Sequence, residues 1–598
     1  MTAQPIFAQT RTPPPAWALA QRNLITTMNA AAPLFQQRYT RTDGSLVWRQ
    51  EWLGMDGSDD SYEAFQNWSL FAALGGGADL HQRARFLWEG VTRQFTQYGQ
   101  IWREFDAFYD WMHHGESSTG FYAMGLADAS DQTARARAQR FAHMYMGLDP
   151  LAPNWDSERR MMRSPITGSK GPRLVNEWDD WSTHRAILAH YPAPFEDIPG
   201  VDGPIADWND DRVYSEILKL LNERQMHGDV PLNLTSTSLV THAYIWTGDT
   251  RYKQWVLDYL EAWADRIAAN DGLCPDNIGP NGKIGELMGG KWWGGYYGWR
   301  WPHGFMSIIQ PLTIAAMNAV LLTGDMRYLD IPRSQLDRMI ALGRVEDGVL
   351  LIPQRRCDSG WTSYRPLPPE YSIQLWAMSQ SAEDAARLDM FPERATHWTR
   401  TMPGRGKGDD LHIAPWERFI AGANLDYPQH ILDAQWAEVA RRMDMLRADD
   451  GDPETWDVHH WQNINPVHTE GLVQLTCGGP QIIYHGGLLH VRLRYFDAEA
   501  RGPGLPPDVS ALVHGLGPDH AAVTLVNTNP LAERRLIIQG GAFGEHALST
   551  ATDTMNGSVA TAENGYVHVV LPPGCSAELR IEMRRFANQP SYKQPLWF

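Results

Sequence analysis

Two imidazoles and a carboxylate stand together in Trp111-Met112-His113-His114-Gly115-Glu116, and paired carboxylates recur in Asn176-Glu177-Trp178-Asp179-Asp180-Trp181. Cleaving a glycosidic bond takes one carboxylic acid to protonate the leaving group and a second carboxylate as base or nucleophile. The two lie about 5–5.5 Å apart for retention and roughly 6.5–9.5 Å apart for inversion. Glu116 is the expected acid and Asp180 the expected base or nucleophile, with Glu370 and Glu286 as substitutes. A helix N-terminus favours the ionised carboxylate, so an acid at Glu116 needs burial or a neighbouring carboxylate to raise it. Eliminating across a uronate bond asks for other groups: His303 or Tyr371 as base and acid, with Asn233 and an arginine neutralising the substrate carboxylate. Arg355, Arg356 and Arg365 are available for that, or are ordinary surface arginines. A histidine pair such as His303 and His460 would suit a sugar epimerase or isomerase.

Residues that would hold a ligand crowd the same stretches. Six of the ten residues from Trp292 to Trp301 are aromatic and three are glycine, a density at which neither helix nor strand persists. Flat rings suit the C–H faces of a pyranose and indole N–H groups can donate to hydroxyls. Trp292, Trp293, Trp299 and Trp301 are therefore expected to face a sugar, together with His113, His114, Asn233, Arg355, His459 and His460. The plainer reading is that first-turn Asp, Glu and Asn cap helices. His-His-Gly-Glu lacks the i, i+4 spacing of H-E-x-x-H, so no metal is expected, and no cofactor either. There is no Walker A sequence and no G-x-S-x-G; Gly404-Arg405-Gly406-Lys407-Gly408-Asp409 has no preceding strand to make it a dinucleotide site.

These residues need a scaffold that brings them to one place. Five joins have a common form, at 73–80, 125–131, 247–252, 323–328 and 378–384: an apolar helix ends in small or acidic residues and an amphipathic helix starts a few positions on. Two of them, T-G-D-T-R-Y and T-G-D-M-R-Y, are nearly identical. Segments 234–246 and 308–322 are apolar on most faces, which marks buried helices. Segments 251–268 and 327–342 alternate apolar and charged positions, which marks outer ones. The expected fold is mainly α, an α/α toroid of six or seven helical hairpins over residues 1–484, with residues 1–50 as an N-terminal helical extension. Inner helices are expected near 61–75, 116–127, 180–190, 233–247, 303–323, 370–380 and 466–478. The residues singled out above precede or open these helices and would gather at one mouth. Period-two segments at 521–527, 535–539, 566–571 and 576–583 predict a small C-terminal β-sandwich within 485–598.

The totals limit the partners. A net charge of −18 disfavours nucleic acid, whose phosphates need clustered Lys and Arg. The most apolar long run, 308–322, is interrupted by Gln310, Pro311 and Asn318, so no membrane span is expected. Four scattered cysteines and a start without an apolar segment point to reduced thiols and a cytoplasmic location. The expected partner is an oligosaccharide or polysaccharide substrate; an oligomer is compatible with all of this.

Buried and outer helical hairpins, the aromatic mouth at 291–304 and a trailing β domain resemble the six-hairpin glycosidase superfamily and the toroid polysaccharide lyases, at the level of architecture, over most of residues 50–480. The resemblance implies a carbohydrate-active enzyme. A glycoside hydrolase is the first expectation, a uronate-specific lyase the alternative, and a sugar epimerase or isomerase the second alternative.

Overall fold

A computed structural model describes residues 5–401 and 411–595. The glycine-rich stretch 404–409 lies outside the described residues. The chain is rich in helix and ends in β-sheet.

All five joins are helix boundaries, and their chemistry explains them. Gly75, Gly248 and Gly324 close the helices Trp68–Leu74, Ser236–Thr247 and Phe305–Thr323 in the left-handed conformation that glycine adopts without steric penalty. Asp131, Asp249 and Ser381 then cap Gln132–Tyr145, Thr250–Ala269 and Ala382–Leu388, their side-chain oxygens accepting from first-turn N–H groups. Asp325 does the same for the short turn that leads into Asp330–Ala341.

The apolar helices pack on one another in chain order. Trp68–Leu74 meets Trp111–Ala127, which meets Ser236–Thr247, then Phe305–Thr323, then Pro369–Ser379. The succession closes on itself: Gln462, Asn465 and Val467, just ahead of the buried turn Glu470–Leu472, hydrogen-bond to Asp60, Trp68 and Asn67 at 2.7, 2.9 and 2.6 Å. Phe305–Thr323 is long and apolar enough to cross a membrane by composition, and 94% of its most apolar 18-residue window is buried inside the protein.

Three expectations need correction. Segment 180–190 holds only the single turn Arg185–Leu188, because Pro192 and Pro194 follow at once, and residues 150–210 otherwise run as turns, bridges and two-residue strands. The residues before Pro369–Ser379 form an unforeseen hairpin, Val349–Cys357 with Gly360–Pro366, turning at Asp358-Ser359. The N-terminal extension is not helical throughout: Ile6–Phe7 pairs in parallel with Tyr566–Leu571, and Thr10–Arg11 pairs with Cys575–Arg584, before the helix Ala16–Tyr39 begins. Partners at the opposite end of the chain leave no local pattern to read.

The four period-two segments are strands, His520–Asn527, Arg534–Gly540, Tyr566–Leu571 and Cys575–Arg584. They fall into two sheets, with Arg534–Gly540 and Tyr566–Leu571 in one and the other two in the second. Val523, Leu525, Leu579 and Ile581 from one sheet and Leu536, Ile538, Val567 and Val569 from the other form a core of their own.

Candidate functional site

The starts of the buried helices converge on a cavity of about 320 Å³. Glu116 opens onto it from Trp111–Ala127, Gln310 from Phe305–Thr323, and Glu370, Tyr371 and Gln374 from Pro369–Ser379. Its remaining wall is mainly residues 481–485, which pass through the mouth instead of leaving for the β-sheets directly.

Glycine makes that passage fit. At Gly115 a Cβ would run into the backbone carbonyl of His485, and at Gly486, with φ +99°, it would run into Gly115 and Thr235. Side-chain bonds then fix the segment. Thr119 Oγ1 donates to the Tyr484 carbonyl at 3.2 Å, the Tyr484 hydroxyl donates to Glu63, and Gln374 Nε2 donates to the Gln481 carbonyl at 3.3 Å. His485 Nε2 thereby lies 3.2 Å from Glu116 Oε1. Across the cavity, burial pushes the Glu370 carboxyl up to about 7.

Beside this cavity, acids and imidazoles meet at the start of Trp111–Ala127. Asp110 caps that helix, accepting from Met112 N at 2.9 Å, and holds His113 Nδ1 at 2.9 Å from each carboxylate oxygen. The His113 ring stacks on Tyr109 at 4.3 Å and 6°. Burial opposes its charge, but Asp110, Asp59 and Asp56 together hold its pKa well above the ordinary imidazole value. Asp56 is buried too, yet His184 and His113 keep its carboxyl well below the usual range. Asp59 goes the other way: burial, then the charges of Asp60 and Asp56, raise it well above that range. His303 sits between the rings of Tyr191 and Tyr297, at 5.2 and 5.7 Å, and burial with His485 and His113 close by pushes it down to about 3.

Of the expected site residues, Glu116, Glu370 and Tyr371 share the cavity, and His113 lies in the adjoining cluster. Others are committed elsewhere. Asp180 is gripped by Arg173 at 2.7 and 2.8 Å and accepts from Glu177 N, so no described contact joins it to Glu116. His114 is fully buried against Phe105 and bonds Asp106 and the Thr167 carbonyl, which makes it a core histidine. Asn233 is fully buried on Asp229 and the Ser164 carbonyl. Trp299 and Trp301 are likewise in the core, the first donating to the Cys274 carbonyl at 2.8 Å and the second stacked on Trp208. Trp292 and Trp293 keep partly exposed rings, with Arg356 over Trp293 at 4.5 Å. Arg355 donates to the carbonyls of Arg300 and Pro302. His460 stacks on Trp456 at 3.9 Å and bonds Asp449, and no described contact joins it to His303; His459 lies 3.6 Å from Asp60. Glu286 secures its own loop through Asn281.

Sequence reasoning missed Asp56, Tyr484 and His485. The available signal was the bracket Gly478-Gly479-Pro480 and Gly486-Gly487 around 481–485, which releases the chain from the last buried helix and lets it approach another backbone.

A family model described as "Domain of unknown function (DUF8034)" matches residues 6–473. No curated protein matches. Among solved structures, similarity is found to cellobiose 2-epimerase from Bacillus thermoamylovorans B4167, at 12% identity over 58% of this chain and 94% of that one with a TM-score of 0.22. Cellobiose 2-epimerase from Spirochaeta thermophila DSM 6192 matches at 13% identity over 59% and 91%, with a TM-score of 0.19. Endoglucanase CelQ from Clostridium thermocellum, complexed with cellotriose, matches at 10% identity over 97% and 94%, with a TM-score of 0.22.

Proposed function

We propose that this chain, which belongs to the family described as Domain of unknown function (DUF8034), is a carbohydrate-active enzyme built on an α/α toroid, and that it hydrolyses glycosidic bonds in an oligosaccharide. One observation carries the reading: Glu116 and Glu370 line the same cavity in unlike surroundings. Carboxyls whose environments differ divide the roles of acid and base between them. Glu370, pushed by burial to about 7, keeps its proton near neutral pH and serves as general acid. Glu116, facing His485, serves as base or nucleophile. Glu370 thus replaces Asp180 as the partner of Glu116, and takes the acid role. Gln310, Gln374, Gln481 and two tyrosines around the cavity are the kind of neutral donors and acceptors that sugar hydroxyls need.

The test is incubation with a panel of oligosaccharides, reading new reducing ends and absorbance in the unsaturated-uronate band. New reducing ends without absorbance are expected. Glu370→Gln and Glu116→Gln should each lower turnover by roughly 10²–10⁴-fold, the usual range for a lost acid or base. Full activity in both variants would refute the assignment.

A second reading, epimerisation, draws on His303, which burial keeps uncharged, with His485 nearby. It predicts an altered sugar and no new reducing ends. The lyase reading is weaker, because Asn233 and Arg355 are bound to the protein's own groups.

A further inference from the structure

Beside the proposed hydrolytic pair is a group with no part in that chemistry. Asp56, Asp59 and His113 each place a potential ligand atom within 4.8 Å of the others. Acids in proximity are common, and proximity alone would mean little. The Asp59 side chain adds an independent observation. It is fully buried; Oδ1 accepts from Gly57 N at 3.2 Å, and Oδ2, also buried, has no hydrogen-bond partner among the described residues. If Asp59 is ionised, that oxygen is a buried charge with no hydrogen bond from the described residues and only His113 to offset three crowded carboxylates; if it is protonated, the O–H has no acceptor among the described residues. Either state is costly in the interior. A cation between the three side chains removes both difficulties, and it offsets the crowding of Asp59 by Asp56 and Asp60.

The groups around the cluster suit metal ligation. Asp110 engages His113 Nδ1 at 2.9 Å, which leaves Nε2 for a metal and fixes the ring, the carboxylate–histidine arrangement that supports imidazole ligands. Asp56 is itself oriented, by the Tyr109 hydroxyl on one oxygen and His184 Nε2 on the other. One imidazole and two carboxylates favour a transition cation over calcium or magnesium, which prefer oxygen alone.

We propose that Asp56, Asp59 and His113 bind a divalent transition cation of the zinc or manganese class. This does not depend on the roles of Glu116 and Glu370. The full chain is stripped with a chelator, offered Zn²⁺, Mn²⁺ or Ca²⁺, desalted and analysed for bound metal, and its melting temperature is recorded. The wild type should retain about one equivalent of zinc or manganese and melt higher with it, while calcium is lost on desalting. Asp59→Asn and His113→Gln should each retain less than about a tenth as much, and Glu370→Gln as much as the wild type. If the first two variants fail to fold, X-ray absorption on the wild-type zinc form decides, with a shell of nitrogen and oxygen at about 2.0–2.2 Å expected. No retention by the wild type, unchanged retention in folded Asp59→Asn and His113→Gln, or a sulfur shell would each overturn the proposal.

Discussion

A carboxyl held at about 7 changes charge in the range where most enzymes operate, and Glu370 is such a group. Burial raises its folded-state pKa above the unfolded one, so the folded chain keeps a proton that the unfolded chain releases. The stabilisation is complete below the ordinary carboxylate range and is lost as pH rises through about 7. Two outcomes follow for Glu370. Turnover of a responsive oligosaccharide should fall on the alkaline side with a midpoint near 7, and Glu370→Gln should abolish that limb along with the activity. In thermal melts the variant should gain on the wild type as pH is raised from 5 to 9; a constant difference would mean that Glu370 does not hold its proton in the folded state. His113 and His114 show how much one position matters at this scale. Neighbours on a helix point about 100° apart, so one ring faces the acid cluster at the mouth and the other is enclosed by Phe105, Trp111 and Tyr145. The sequence alone assigns both to substrate, since residue type and neighbourhood are the same for each.

Among the elements, the helix boundaries were legible and the excursions between them were not. Glycine in a left-handed cap and aspartate accepting from the next helix are local chemistry, readable from a few residues. The 349–366 hairpin and the 481–485 crossing owe their places to surfaces supplied by distant parts of the chain. The crossing makes a sharp prediction at Gly115. In an isolated helix, alanine in place of glycine is favourable by about 1 kcal/mol. Here the added methyl meets the His485 carbonyl, a backbone atom that cannot swing aside. Overpacking of that kind costs about 1–3 kcal/mol, so it outweighs the gain in propensity. Gly115→Ala should retain its helical circular dichroism, unfold at lower urea concentration, and lose activity because His485 is pushed from Glu116. A variant as stable and active as the wild type would show that the crossing is loosely held.

Across the whole molecule, the two ends of the chain tie the helices and sheets together. Ile6–Phe7 and Thr10–Arg11 extend the C-terminal sheets. Near the other end, Tyr592 enters the helical part between Trp111–Ala127 and Ser236–Thr247. Trp246 Nε1 donates to His242 Nε2 at 3.2 Å, which places the remaining imidazole proton on Nδ1. Nδ1 then donates to the Tyr592 hydroxyl at 2.7 Å, and that hydroxyl donates to the Tyr122 carbonyl at 3.0 Å. Burial pushes His242 down to about 3, in keeping with a neutral ring in this relay. Tyr592→Phe strands the buried His242 Nδ1 donor, while the Tyr122 carbonyl keeps its helical partner, and should cost about 1–3 kcal/mol in urea unfolding. A change within about 0.5 kcal/mol, the range of an ordinary surface substitution, would show that the tail is not docked. The sequence by itself determined the alternation of buried and outer helices, their caps, four of the C-terminal strands, and the position of Glu116, Glu370 and Tyr371 near the starts of buried helices, because periodicity and capping act over a few positions. Only the tertiary structure decided that Trp299, Trp301, His114 and Asn233 belong to the core, that Arg173 claims Asp180, and that Tyr484 and His485 return to the mouth. Burial and charge pairing depend on what other segments bring to the same point in space, and no local pattern encodes that.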